Sequence, residues 1–121
     1  TLTTLNLRYN GIGATGATWI ADALKYNTVV SSLSSTMAYT SSFVFAQTLT
    51  TLNLSVNAID DEGATQIADA LKENKTLTTL DLRYNEIEVD GATSMAAALQ
   101  QNTVISSLSS PISSTLSFFF V

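Results

Sequence analysis

Leucine recurs at alternate positions in short runs: Leu5 and Leu7, Leu52 and Leu54, Leu80 and Leu82. Asparagine or aspartate separates each pair, with threonine in front. Alternation with a period of two predicts a strand that buries one face. The period then changes. Ala17, Ile20, Ala21 and Leu24 share one face of a helix, as do Ala64, Ile67, Ala68 and Leu71, and then Ala92, Met95, Ala96 and Leu99. Between strand and helix stand Asn10, Asn57 and Asn85, each two residues before an isoleucine. Strand, bend and helix are thus written three times, over Thr1–Thr28, Thr48–Lys75 and Thr76–Thr103, each 28 residues long and alignable without gaps.

Repeats of this length predict an α/β solenoid in which parallel strands stack and each coil touches only its neighbours. Asn10, Asn57 and Asn85 then form a column whose amides satisfy backbone groups left unpaired by the bends. Their fixed phase marks them as architecture and not as catalytic groups.

The shared frame is T-L-T-T-L-x-L-x-x-N-x-I, then G-A-T, then A-x-A-L-x-x-N. It resembles the leucine-rich repeat of the ribonuclease-inhibitor-like class, also found in NOD-like receptors. That resemblance implies parallel strands on the concave face, helices on the convex face, and binding on the concave side. It implies no particular ligand, because one fold hosts many functions.

The period breaks once. Leu52 and Leu80 are 28 residues apart, but Leu5 and Leu52 are 47 apart. Removing Val29–Gln47 restores the frame, and Val104–Val121 opens with nearly the same residues. Neither stretch carries a charge. The chain therefore divides into a repeat at 1–28, a serine-rich insert at 29–47, two repeats at 48–103 and a related tail at 104–121. Three origins stay open for the insert: a retained intron, a diverged coil with Val30 and Leu33 in strand positions, and a functional loop. In any of these the translated segment can add a weak strand at the end of the sheet. Eight Ser or Thr residues and Pro111 give the uncharged tail too poor a hydropathy for a membrane span.

Composition narrows the chemistry. The net charge of −5 argues against nucleic acid, which needs a basic surface. The chain has neither Cys nor His. This disfavours thiol and Ser-His nucleophiles, disulfide scaffolds and the usual zinc sites. No cofactor, metal or small-molecule substrate is expected, and no enzymatic constellation is found. Thr1 falls inside the repeat frame, so the chain reads as a piece of a longer array.

Residues alternating with the buried leucines face the concave side. Arg and Tyr combine contact area with hydrogen bonding at protein interfaces. Arg8, Tyr9, Arg83 and Tyr84 are therefore the leading partner contacts, with Asn6, Asn53 and Asp81 beside them. The competing reading is a consensus copied by duplication. Asp60, Asp61, Glu62, Glu86, Glu88 and Asp90 suggest a calcium site or helix-capping acids, and their position before the helices favours capping. Trp19 reads as a half-exposed contact towards the insert. Asn53-Leu54-Ser55 and Asn74-Lys75-Thr76 fit the glycosylation sequon. The resulting expectation is a cytoplasmic protein-interaction module within a larger sensor or scaffold. A GTPase activator of the Ran-activator type and a gene-prediction fragment without independent function are the alternatives.

Overall fold

The computed structural model describes residues 2–33 and 49–111, with the backbone alone for residues 26–33. The alternating leucines form β1 (Thr4–Asn6), β2 (Thr51–Asn53) and β3 (Thr79–Asp81), and a further strand, β4, spans Ser107–Ser109. All four pair in parallel, in the order β1-β2-β3-β4. Helices α1 (Gly13–Leu33), α2 (Asp61–Glu73) and α3 (Val89–Gln101) connect them. The architecture is the expected α/β solenoid, with strands on its inner face and helices outside.

Register explains why the core forms. Leu5 pairs with Leu52, Leu52 with Leu80 and Leu80 with Leu108. A slip of one residue would turn every one of these leucines to solvent. The pairing holds across the long first interval, so the extra residues between α1 and β2 do not disturb it. Leu52, Leu54, Leu80 and Leu82 are buried against Ile59, Ile67, Leu71 and Leu77. Each such side chain contributes about 1.5–3 kcal/mol on burial. Among the described residues the first coil is flanked on one side only, and it shows. Leu5, Leu7 and Ile12 are half-buried and Leu2 is exposed.

Helices pack closely where glycine opens the frame G-A-T. A Cβ on Gly63 would lie 3.0 Å from the Ala17 methyl and 2.8 Å from Ile59 Cγ2. On Gly91 it would lie 2.6 Å from Asp61 Oδ1. At Gly91 such a contact would force Asp61 to move, and at Gly63 both Ile59 and the neighbouring helix would have to give, so the absence of a side chain favours the close spacing.

Two elements depart from the repeat frame. Helix α3 ends at Gln101, before Asn102-Thr103-Val104, whereas α1 continues to Leu33 through the similar Asn27-Thr28-Val29. Asn102 Nδ2 donates to Leu71 O (2.6 Å) and Asn74 O (3.1 Å) of the preceding coil. No described coil precedes the first to offer such acceptors, and the helix runs on across the expected boundary at residue 28. A diverged coil would put Val30 and Leu33 in a strand, but the backbone there is helical. The first residues of the tail at 104–121 add a strand at the end of the sheet. β4 lies within them, and Ile105 and Leu108 pack against the core. Residues 34–47 and 112–121, which hold the rest of insert and tail, lie outside the described residues. No described helix is long and apolar enough to cross a membrane.

Candidate protein-binding surface

The inner face is built in rows. Thr4, Thr51, Thr79 and Ser107 are in register, followed by Asn6, Asn53, Asp81 and Ser109. Ladder bonds continue beyond the short strands: Leu7 N to Asn53 O (2.9 Å), Tyr9 N to Ser55 O (3.3 Å), Leu54 N to Asp81 O (2.8 Å) and Val56 N to Arg83 O (3.0 Å). They carry the alignment on to a third row of Arg8, Ser55 and Arg83. In each coil the second-row side chain turns the chain. Asn6 Oδ1 accepts from Arg8 N (3.1 Å), Asn53 Oδ1 from Ser55 N (2.9 Å) and Asp81 Oδ1 from Arg83 N (3.0 Å).

The next residue is left-handed in all three coils, with φ of 61° at Tyr9, 58° at Val56 and 57° at Tyr84. Side chains seldom adopt this region, and a β-branched one is strained there. The asparagine column holds the bend. Asn57 Oδ1 accepts from Asn10 N (2.9 Å) and Ile12 N (3.3 Å) of the coil before it. Asn57 Nδ2 donates back to Leu7 O (2.9 Å) and to Leu54 O (3.0 Å) and Ser55 O (3.1 Å) of its own coil. Asn85 repeats the arrangement on Asn57 N (3.0 Å), Ile59 N (3.1 Å) and Leu54 O (3.0 Å). A buried polar group left unpaired costs about 1–3 kcal/mol, so these amides are strongly constrained.

On this frame Tyr9 and Tyr84 stand out into solvent, 69% and 71% exposed. The Arg8 guanidinium lies over the Tyr9 ring, 4.8 Å from its centroid. Arg83 instead grips Asp81 with two bonds, Nε to Oδ1 (3.0 Å) and a terminal nitrogen to Oδ2 (2.8 Å). The Arg83 hydrogen bond is the main reason that the Asp81 carboxyl lies below its ordinary pKa, and Arg8 adds a smaller attraction. Among the described residues Arg8 has no carboxylate within ion-pair distance. The face thus presents one free cation, one neutralised pair and two raised rings. Two strand spacings, roughly 10 Å, separate the Arg8 and Arg83 coils. Asn53 is half-buried, and its Oδ1 also accepts from Ser55 Oγ (2.7 Å).

Several working residues were not singled out from sequence. Asn74 and Asn102 form a second column at the helix exits. Asn74 Oδ1 accepts from Thr76 N (3.0 Å) and Leu77 N (2.8 Å), and Asn102 Oδ1 from Val104 N (2.8 Å) and Ile105 N (2.9 Å). Their place in the repeat frame was the available signal. Asn74 is also the acceptor of the second sequon, yet it is fully buried, with Nδ2 on Leu24 O (3.2 Å). Thr50 and Thr78 hydroxyls donate to Thr3 O (3.2 Å) and Thr50 O (3.1 Å), which gives the threonines beside the strands a structural use.

The acids act at helix starts. Asp60 Oδ1 caps its own helix through Gly63 N (3.0 Å). Asp61 serves the next one, accepting from Glu88 N (2.7 Å) and Gly91 N (2.9 Å). No group of three acids among the described residues is arranged to hold a metal ion. Trp19 is 70% exposed, and most of the insert at 29–47 that it was expected to face lies outside the described residues.

The Leucine Rich repeat family profile matches residues 1–21, 45–68 and 73–96, more than half of the chain. None of the curated proteins matches the sequence. Among solved structures, Leiomodin-1 Actin-Binding Site 2 is similar, at 27% identity and a TM-score of 0.68. The match covers 88% of this chain and 51% of that one, so the chain spans about half the length of that structure.

Proposed function

From the premise that the chain belongs to the leucine-rich repeat family, we propose that its inner face is a protein-binding surface and its role non-catalytic. The observation that carries this reading is the set Arg8, Tyr9, Arg83 and Tyr84. Each is exposed; Arg8 and Tyr9 sit on backbone held by strand pairing and by Asn57, and Arg83 and Tyr84 on a bend held by strand pairing to Val56 and by Asn85 within its own coil. Exposed aromatic and arginine side chains on a fixed frame lose little entropy when a partner arrives. Arg8, which pairs with no acid among the described residues, favours a partner segment that brings a carboxylate to the Tyr9 corner. Asn6, Asn53 and Asp81 then serve as the floor beneath those four. The larger setting we propose is a cytoplasmic sensor or scaffold of the ribonuclease-inhibitor-like class, for which the shared repeat frame is the support.

The neighbour named for actin binding makes actin the first partner to test. Titration of labelled actin should show binding that the combined Arg8→Ala, Tyr9→Ala, Arg83→Ala and Tyr84→Ala variant weakens by more than about tenfold. Gln66→Ala, on a helix, should leave it unchanged. Actin binding that survives the fourfold variant would overturn the inner-face assignment. Absence of any binding would remove actin as the partner.

A further inference from the structure

We propose that the inner face takes a proline-rich segment in the polyproline II conformation, laid across the strands with successive turns on Tyr9 and Tyr84. This rests on the protein-binding reading of that face and names the class of partner. Tyr9, Val56 and Tyr84 hold one repeat position in successive coils, and their backbones match, with φ of 61°, 58° and 57°. Strand pairing carries the alignment to them, through Tyr9 N on Ser55 O (3.3 Å) and Val56 N on Arg83 O (3.0 Å). Both tyrosines stand in solvent, and Val56 between them is half-buried. The second coil lies after Tyr9 and before Tyr84, so the ground between the two tyrosines is bounded by described coils alone.

Spacing selects the occupant. Neighbouring strands lie about 4.8 Å apart, which sets the two tyrosine positions about 9.6 Å apart. A polyproline II helix has about three residues per turn and rises about 3.1 Å per residue, so the same face returns every ~9.3 Å. Residues i and i+3 of such a segment therefore meet the two tyrosines in turn, and the residues between them pass over Val56. A β-strand repeats its face about every 6.7 Å and an α-helix about every 5.4 Å. Neither sets consecutive repeats on both tyrosines.

The chemistry agrees with the spacing. Aromatic-lined surfaces are where proline-rich segments dock, and the segment arrives with its conformation already formed. It makes no internal hydrogen bonds, so its carbonyls are open to donation from tyrosine hydroxyls. Charge fixes which end lies where. Arg83 is paired with Asp81 at 2.8 Å, whereas Arg8 pairs with no acid among the described residues. A carboxylate beside the proline that meets Tyr9, with none at the Tyr84 end, complements this face.

Fluorescence anisotropy of a labelled peptide, titrated with the full chain, tests this. The probe has about twelve residues, with proline at every third position and a glutamate beside the first proline. It should bind at least about tenfold more tightly than a peptide of the same residues with proline at every fourth position. That comparison uses the unaltered chain and does not depend on how any variant folds. Tyr9→Asn and Tyr84→Asn each remove one ring, and asparagine accepts left-handed backbone. Each should weaken the probe by at least about fivefold. Arg8→Gln should erase the advantage of glutamate over glutamine in the peptide. Equal binding of the two peptides, or binding indifferent to both tyrosine variants, would overturn the proposal. So would a probe that does not bind at all. If actin binding is at the same time weakened by the fourfold variant, the inner-face reading stands and the proline-rich partner alone falls.

Discussion

Among the described residues Val56 is the one β-branched side chain on left-handed backbone, at φ 58°. Left-handed backbone costs about 1–2 kcal/mol for an ordinary side chain, and asparagine tolerates it better. Val56→Asn should therefore raise stability by on the order of 1 kcal/mol, read as a higher denaturant midpoint at unchanged slope. Tyr9 and Tyr84 share the conformation, but there the ring is displayed to solvent, which is the arrangement a binding residue needs. A second expectation concerns Asp81. Its carboxyl is held below the ordinary value of 3.8, chiefly by the Arg83 hydrogen bond. A depressed folded-state pKa adds stability above the unfolded value and loses it as pH falls through the folded one. Arg83 is largely exposed, so solvent screening keeps the contribution of the pair small. Asp81→Asn should lower the melting temperature slightly at neutral pH and have no effect well below pH 3.8.

At the scale of elements, helix spacing depends on what the glycines lack. Gly91→Ala would drive a methyl into Asp61, the residue that caps α3 from the neighbouring coil. Losing that cap and parting α2 from α3 should cost roughly 1–3 kcal/mol, measurable in thermal or chemical melts. Strands and helices were legible beforehand because leucine spacing switches from two to the helical period within each repeat. The asparagine column was legible from its phase. The left-handed residues were not, since an aromatic or a valine is the last side chain expected there. Nor was the reach of Asp61, because a cap that crosses coils leaves no short-range motif. The ends of α1 and α3 show the same limit. Nearly the same residues lie inside α1 at Asn27-Thr28-Val29 and just beyond α3 at Asn102-Thr103-Val104, and the acceptors that hold Asn102 belong to a different coil.

For the whole molecule, the register across β1 and β2 predicts what excision would do. Leu5 meets Leu52 as Leu52 meets Leu80, so the join already has the geometry of an uninterrupted repeat. A chain lacking Val29–Gln47 should fold with the same sheet and melt at the same or a higher temperature, because a shorter closure loses less entropy. A collapse of cooperative melting would show that the insert is needed by the fold. The candidate surface was legible in its residue types and only partly in its electrostatics. The sequence shows two similar Arg-Tyr pairs, whereas the structure makes them unequal. Asp81 neutralises Arg83, while the corresponding Asn6 leaves Arg8 charged.

The direction of the asparagine column has a consequence for how such a chain comes into being. Each amide reaches backwards, so the bend of one coil is closed by the asparagine of its successor. A nascent chain leaves the ribosome from its N-terminal end. Its first bend must therefore wait, donors unmatched, until Asn57 has emerged, and the second must wait for Asn85. Growth is a relay in which every finished coil certifies the one made before it. Shortening the chain from its C-terminal end should thus harm more than the coil removed, for it reopens the bend of the coil left behind.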